Sequence, residues 1–421
     1  MLTSFQDGTE LGDGLRLLVS PDGLKWSELP GAPLILPRAK AAKSRVFRDP
    51  SMVYHGGHFH LVFTSDLCVD QVPGHWQCRR HTKPRPVARF GYARSRDLVK
   101  WEAIKHVEMP VKDACSLWAP EATLLPQSEG GGLMVIFTVT VAAGTCPPTM
   151  RESDHKPYYV ISRDFKNFGA PKPLDVNHGE SIIDMFPLLM RGGEGIGGDG
   201  GGDAEEDGGS HVLFYKAEAN LCGRPYDAPL EWRYGSALHT NASCSLVLRQ
   251  ARASKATGPW RPDLAARGSF FSDAISRPCV EGPTIVKSPD ERSWILLFDN
   301  YRSDCLLLVP RDDTDVVPCS TVAGRPAGDA GLRLSHRGSA HADGMCAYEP
   351  SRQGFGAMVS DDLRTWTDIS GSVSAPPFHK HGTAIKLLPR AWKGICDEAQ
   401  ERRSPFAAIC SERAAAGFGT T

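Results

Sequence analysis

Residues 95–101 read SRDLVKW, and variants of this heptad occur four more times in the chain. Ser20-Pro-Asp-Gly-Leu-Lys-Trp26, Ser162-Arg-Asp-Phe-Lys-Asn-Phe168, Ser254-Lys-Ala-Thr-Gly-Pro-Trp260 and Ser360-Asp-Asp-Leu-Arg-Thr-Trp366 all open on serine, pass through a polar turn and end on an aromatic ring six positions later. Serine and aspartate bond nearby backbone groups in such turns, while a ring of that size packs between neighbouring sheets. Between the copies lie apolar, β-branched runs such as 132–141 (GLMVIFTVTV), 211–217 (HVLFYKA) and 293–301 (SWILLFDNY), bounded by Gly, Pro and Asp. No helical periodicity of similar length precedes residue 390. Many short strands with a fivefold repeated turn predict an all-β fold, a five-bladed β-propeller. A β-sandwich with chance Ser-x-Asp turns is the alternative. The first copy precedes the first complete blade, so the N-terminal strand is expected to join the last blade and remove an exposed edge.

The propeller is expected to span residues 1–390 as one domain. Residues 191–210, RGGEGIGGDGGGDAEEDGGS, are too rich in glycine and acid to pack and are expected to form a floppy insertion within the third blade. A long insertion, 302–347, carrying Cys305, Cys319 and Cys346, falls in the fourth blade. Residues 391–421 read as a short helix or tail, with Cys396 and Cys410 placed to tether it.

Composition narrows the function classes. The 421 residues are 41% hydrophobic and carry a formal net charge of −1, so there is no electrostatic footprint for nucleic acid or an anionic membrane. No apolar window reaches the length of a membrane span, and the N-terminus lacks the regions of a signal peptide. Twelve cysteines and the Asn241-Ala242-Ser243 sequon nevertheless favour an oxidising, secreted setting. His75, Cys78 and His81 have spacing that hints at zinc, but a fourth ligand is missing nearby and Arg79-Arg80 would repel a cation. There is no phosphate-cradling glycine loop and no nucleophile elbow.

One polar motif introduces a strand in each blade: Arg48-Asp49-Pro50, Trp118-Ala-Pro-Glu121, Ile183-Asp184-Met-Phe186, Val280-Glu281-Gly-Pro283 and His379-Lys-His381-Gly382. The first strand of a propeller blade lines the axis, so Asp49, Glu121, Asp184, Glu281 and His381 are expected to converge at one end of the channel. Each motif alone is an ordinary turn. Asp184 stands apart, because a lone carboxylate inside the apolar run SIIDMF is costly without a partner. Crowded carboxylates push one another's pKa values apart. Glycosidic cleavage needs that separation, with one carboxyl protonated for the leaving oxygen and one ionised for water or the sugar.

In this order, the stretches FRDPSMVYHGGHFHLVFTSD, LWAPEATL, SIIDMFPLL, VEGPTIVK and KHGTAIKL resemble glycoside hydrolase family 43, the five-bladed arabinofuranosidases and xylosidases, over residues 11–390. The resemblance implies Asp49 as the general base, Glu281 as the general acid and Asp184 as the carboxylate that raises and orients the acid. It implies inversion at the anomeric carbon, with base and acid roughly 6.5–9.5 Å apart. His381 matches an axial histidine that in some relatives touches a metal, often calcium, directly or through water; no cofactor is otherwise required. Phe47 and Trp118 are candidate sugar-stacking walls, Trp118 having blade packing as its alternative, and Arg48 a hydroxyl or carboxylate anchor. Glu121 either contacts substrate or braces the ring. A neutral oligo- or polysaccharide is the expected partner. Two departures stand out: Lys380 replaces the arginine that often precedes His-Gly, and the 302–347 insertion is expected to reshape the pocket. The remaining alternatives are a sialidase- or fructosidase-like propeller and a propeller that binds carbohydrate without cleaving it.

Overall fold

In the computed structural model the described residues are 1–6, 15–28, 45–67, 88–98, 100–141, 154–177, 181–190, 211–217, 247–268, 275–276, 280–300, 306–308, 316–318, 354–377, 379–386 and 389–401, with Arg403, Ala407, Cys410 and Ser411 beyond. Strands β1 (Leu2–Gln6), β2 (Leu15–Val19) and β3 (Ser27–Glu28) come first. Blade I follows with β4 (Arg45–His55), β5 (His58–Leu67), β6 (Arg89–Ser95) and β7 (Trp101–Glu108). Blade II holds β8 (Ala114–Leu124), β9 (Leu133–Val141), β10 (Asp154–Ser162) and β11 (Lys172–Pro173). Blade III holds β12 (Ile182–Leu188), β13 (His211–Ala217), β14 (Leu248–Ala253) and β15 (Arg261–Pro262). Blade IV holds β16 (Val280–Lys287), β17 (Trp294–Asn300), β20 (Gly354–Ser360) and β21 (Thr367–Asp368), with a hairpin of β18 (Leu306–Leu308) and β19 (Val316–Pro318) between β17 and β20.

The closing blade is ordered β22-β1-β2-β3, with the C-terminal β22 (His379–Lys380) paired to β1 through Phe5↔Lys380 and Gln6↔His379. The ring is therefore a five-bladed, all-β propeller. Its closure is larger than expected, since three strands of the last blade come from the N-terminus and only the innermost from the C-terminus. His379, buried between Ser4 Oγ at 2.6 Å and Glu28 at 2.7 Å, ties those strands together.

The repeated heptads occupy the turn between the third and fourth strands of each blade. In four of them the aspartate acts as predicted. Asp97 Oδ1 accepts from Ser95 and the Lys100 N–H, and Asp362 Oδ1 from Ser360 and the N–H groups of Arg364 and Thr365. The residue after the aspartate takes positive φ: Gly23, Leu98, Phe165 and Leu363. The fifth copy lacks the acid, yet its Trp260 is fully buried, as is Trp366. Burial on this scale means that Trp366→Ala should cost about 3–5 kcal/mol.

Each interface between blades has its own apolar core, which is how a ring without a single central core becomes stable. Phe137 and Phe90 meet between blades I and II, Met134 and Leu213 between II and III, Phe214 and Phe298 between III and IV, Leu297 and Leu18 between IV and the closing blade. Phe5 and Phe63 pack between the closing blade and blade I. The C-terminal helix Pro389–Glu401 docks at this last interface, where Cys396 is bonded to the buried Cys410. The 191–210 insertion, which joins β12 to β13, lies outside the described residues, as do Cys305, Cys319, Cys346, His75, Cys78, His81 and the Asn241 sequon.

Candidate active site on the propeller axis

Four inner strands are interrupted at the same level, and the fifth, β22, ends there. The ladder slips by one residue between Arg48 and Ser51, Trp118 and Glu121, Ile183 and Phe186, and Glu281 and Thr284. Within each slip one residue is left-handed: Asp49 (φ 49°), Ala119 (44°), Asp184 (54°) and Gly282 (61°), while His381 (33°) sits just past β22. A bulge of this kind bends the strand and re-aims the side chain at the extra residue. Non-glycine residues held there store strain that the surrounding sheet must overcome, a feature concentrated at functional sites.

Those five positions are structurally equivalent, but only three of the five motif residues occupy them. Asp49, Asp184 and His381 share the bulge level, Glu281 lies one residue earlier and Glu121 two residues later. At the shared level His381 Nδ1 is 3.5 Å from Asp49 Oδ1 and 3.9 Å from Asp184 Oδ1. Thr64 Oγ1 donates to Asp49 Oδ2 at 2.7 Å, and the Gly282 N–H donates to Asp184 Oδ2 at 3.2 Å. Glycine is required at 282 because a Cβ there would lie 3.0 Å from the His381 ring, on top of the positive φ.

Glu281 accepts from Lys216 Nζ at 3.0 Å and from Lys380 Nζ at 3.3 Å, so two ammonium groups favour its carboxylate form. Its side chain keeps 17% exposure, more than that of Asp49 or Asp184. Glu121 instead points to the deeper level, receiving the Thr383 hydroxyl at 2.8 and 3.0 Å. This bond links blade II to the closing segment.

Burial and charge separate the protonation states. Burial pushes Asp184 up to about 6, helped by Glu281 and Asp49 and opposed by His381 and Lys216. Asp299, opposite Glu281 in the ladder, is pushed by burial to about 7 against the pull of Lys380 and His381. Glu121 rises to about 8 through burial, despite hydrogen bonds from Thr383 and Ser51. Burial would discharge His381, but Asp184, Asp49, Asp299 and Glu281 outweigh it and hold the imidazole at about 9, a cation at neutral pH. The pit thus gathers carboxyls raised by burial around one imidazolium.

The other candidates are placed as follows. Trp118 is buried on β8 with Nε1 donating to Ser116 Oγ at 2.7 Å. Phe47 packs its ring 5.6 Å from that of Phe63, at the interface of the closing blade and blade I. Arg48 lays its guanidinium 4.6 Å over the Phe5 ring. Among the described residues no group of three or more His, Cys, Asp or Glu side chains is arranged to hold a metal. Calcium takes six to eight oxygens, and a single imidazolium does not fit it.

Sequence reading missed Thr64, Lys216 and Asp299. A signal existed for two of them, since Lys216 and Asp299 are single charges closing the apolar runs HVLFYK and WILLFD.

The ring and its axial carboxyls define the class, a five-bladed β-propeller with an acidic axial pit. Residues 1–194 match the family described as "Probable glycosyl hydrolase domain". Among solved structures the chain is similar to a thermostable family-43 glycoside hydrolase (11% identity, TM-score 0.41, covering 72% of this chain and 85% of that one). It is likewise similar to an alpha-L-arabinofuranosidase from Lactobacillus brevis (9% identity, TM-score 0.37, 76% and 72%). A third is a fructofuranosidase from Schwanniomyces occidentalis complexed with fructose (10% identity, TM-score 0.40, 81% of this chain and 47% of that one). No curated protein matches the sequence. No helix among the described residues is long and apolar enough to cross a membrane, which says nothing of β-barrels.

Proposed function

We propose that the protein hydrolyses glycosidic bonds in neutral, pentose-containing plant or algal saccharides (arabinose or xylose units) with inversion, acting outside the cell. Asp49 is the base that activates water, Glu281 the acid that protonates the leaving oxygen, and Asp184 the carboxyl that opposes loss of the acid's proton. The observation that carries this reading is the approach of Asp49 and Asp184 to one imidazole nitrogen, at 3.5 and 3.9 Å, beneath a more exposed Glu281. For Glu281, the ammoniums of Lys216 and Lys380 favour the carboxylate and the neighbouring Asp184 and Asp299 oppose them. An incoming sugar that excludes water strengthens every one of these interactions.

Trp118 and Arg48 serve substrate binding in this reading, with Phe47 supporting Arg48's strand. The test is a panel of aryl arabinofuranosides, xylosides and galactosides assayed with wild type, Asp49→Asn and Glu281→Gln. Asparagine tolerates the left-handed conformation at position 49, so the first variant removes charge without adding strain. Turnover by wild type that is lost in both variants supports the assignment; turnover retained in either removes that residue from its role.

A further inference from the structure

The residue paired with the one before each bulge sits on the second strand of its blade. Register places Thr64 opposite Arg48, Thr138 opposite Trp118, Lys216 opposite Ile183, Asp299 opposite Glu281 and Phe5 opposite Lys380. All five reach across to the inner strand of the next blade. Thr64 Oγ1 accepts the Ala119 N–H at 2.9 Å, Thr138 Oγ1 donates to the Ile182 carbonyl at 3.2 Å, and Lys216 Nζ donates to Glu281 Oε2 at 3.0 Å. Asp299 Oδ1 accepts the His381 N–H at 2.8 Å, and the Phe5 ring lies under the Arg48 guanidinium at 4.6 Å.

We propose that this second ring aims the catalytic groups, with Thr64 and Asp299 as positioning residues for Asp49 and His381. The proposal rests on the functional reading above. Thr64 is doubly engaged: its oxygen takes the N–H of the strained Ala119 in blade II while its proton goes to Asp49 Oδ2. The carboxylate is thereby held at a fixed rotation, leaving Oδ1 toward His381. Asp299 holds the backbone of a histidine whose φ of 33° is unfavourable for any side chain. Without that acceptor the buried N–H loses its partner, and the strand can relax toward ordinary geometry. The imidazole would then leave its place between Asp49 and Asp184. The other Asp299 oxygen, Oδ2, is buried with no hydrogen-bond partner among the described residues, so ordinary packing needs do not explain why a carboxyl is kept there. Charged and polar groups around it are Glu281 on β16, Lys380 on β22 and His381 beyond it.

The experiment measures kcat and KM separately on the best aryl glycoside of the panel for Thr64→Val, Thr64→Ser, Asp299→Ala and Asp299→Asn. Misplacement of a reacting group by about 1 Å costs about 10²-fold. Thr64→Val and Asp299→Ala should lose about 30- to 100-fold in kcat with KM within about twofold. Thr64→Ser and Asp299→Asn, which keep the hydroxyl and the acceptor, should recover to within about fivefold. Equal kcat in all four variants and wild type, or equal losses in the conservative pair, overturns the proposal. Crystal structures of Thr64→Val and Asp299→Ala provide a readout independent of turnover: Asp49 should rotate in the first and His381 should leave positive φ in the second. Unchanged positions overturn it as well. If Asp49→Asn turns over like wild type, the functional reading fails instead, and the ring is judged on the crystal positions alone.

Discussion

Replacing Glu121 by glutamine should make the protein more stable, and increasingly so as pH rises. Glu121 is buried on the axis and held at about 8, against 4.5 for a free glutamate. In the folded protein it is therefore protonated at neutral pH, whereas in the unfolded chain it is ionised. A carboxyl whose folded value is raised draws stability from the protein as pH climbs from the unfolded value to the folded one, and the loss levels off beyond. At 1.36 kcal/mol per unit the full shift sets an upper bound of about 5 kcal/mol, and relaxation of the site should leave about 2–4 kcal/mol. Glutamine keeps the shape and an acceptor for the Thr383 hydroxyl but cannot ionise. The variant minus wild-type difference cancels the titration of the remaining groups. Differential scanning calorimetry at fixed ionic strength should show a difference in Tm near zero at pH 5 that grows by several degrees by pH 8, at about 1–2 °C per kcal/mol for a chain of this size. A difference that stays flat, or shrinks, as pH rises would mean that Glu121 is not buried as a neutral acid.

Three further outcomes follow from the same geometry. Lys380→Met removes one of the two ammoniums from Glu281, so the alkaline limb of kcat/KM should move to higher pH; a limb that does not move removes Lys380 from control of the acid. Cys396→Ala should cost up to about 3 kcal/mol by opening a loop with a sequence separation of 14, read as a Tm lowered equally by reductant in wild type. His381→Ala leaves a cavity between two carboxyls that lose their shared cation, and should lower kcat by at least about 10²-fold; near-normal kcat would show that the imidazole is not part of the charge balance.

The heptads were readable because each performs a local job. A serine and an aspartate closing a turn, and a ring six residues later, leave a pattern that does not depend on distant partners, and the same local chemistry recurs in the turns of Ser20, Ser95, Ser162 and Ser360. Ring closure was only half visible, since β22 is two residues long and its pairing to β1 depends on contacts across the whole chain. On the axis, the sequence marked which polar residues enter the channel but not their heights. The prolines carried that information: Pro50, Pro120 and Pro283 each follow a bulge residue, which aligns Asp49 with Ala119 and Gly282 rather than with Glu121 and Glu281. Thr64 was illegible for a different reason. A threonine in a strand is ordinary, and only the register of β4 on β5 brings it to Asp49.

The most direct measurement is proton NMR of the sugar first released by wild type from an aryl arabinofuranoside or xyloside, with Asp49→Asn and Glu281→Gln run in parallel. The newly formed anomer should have the configuration opposite to that of the substrate, and neither variant should release it at a comparable rate. Release of the retained anomer, or unimpaired release by either variant, would contradict a water-activating Asp49 facing a proton-donating Glu281 across this axis.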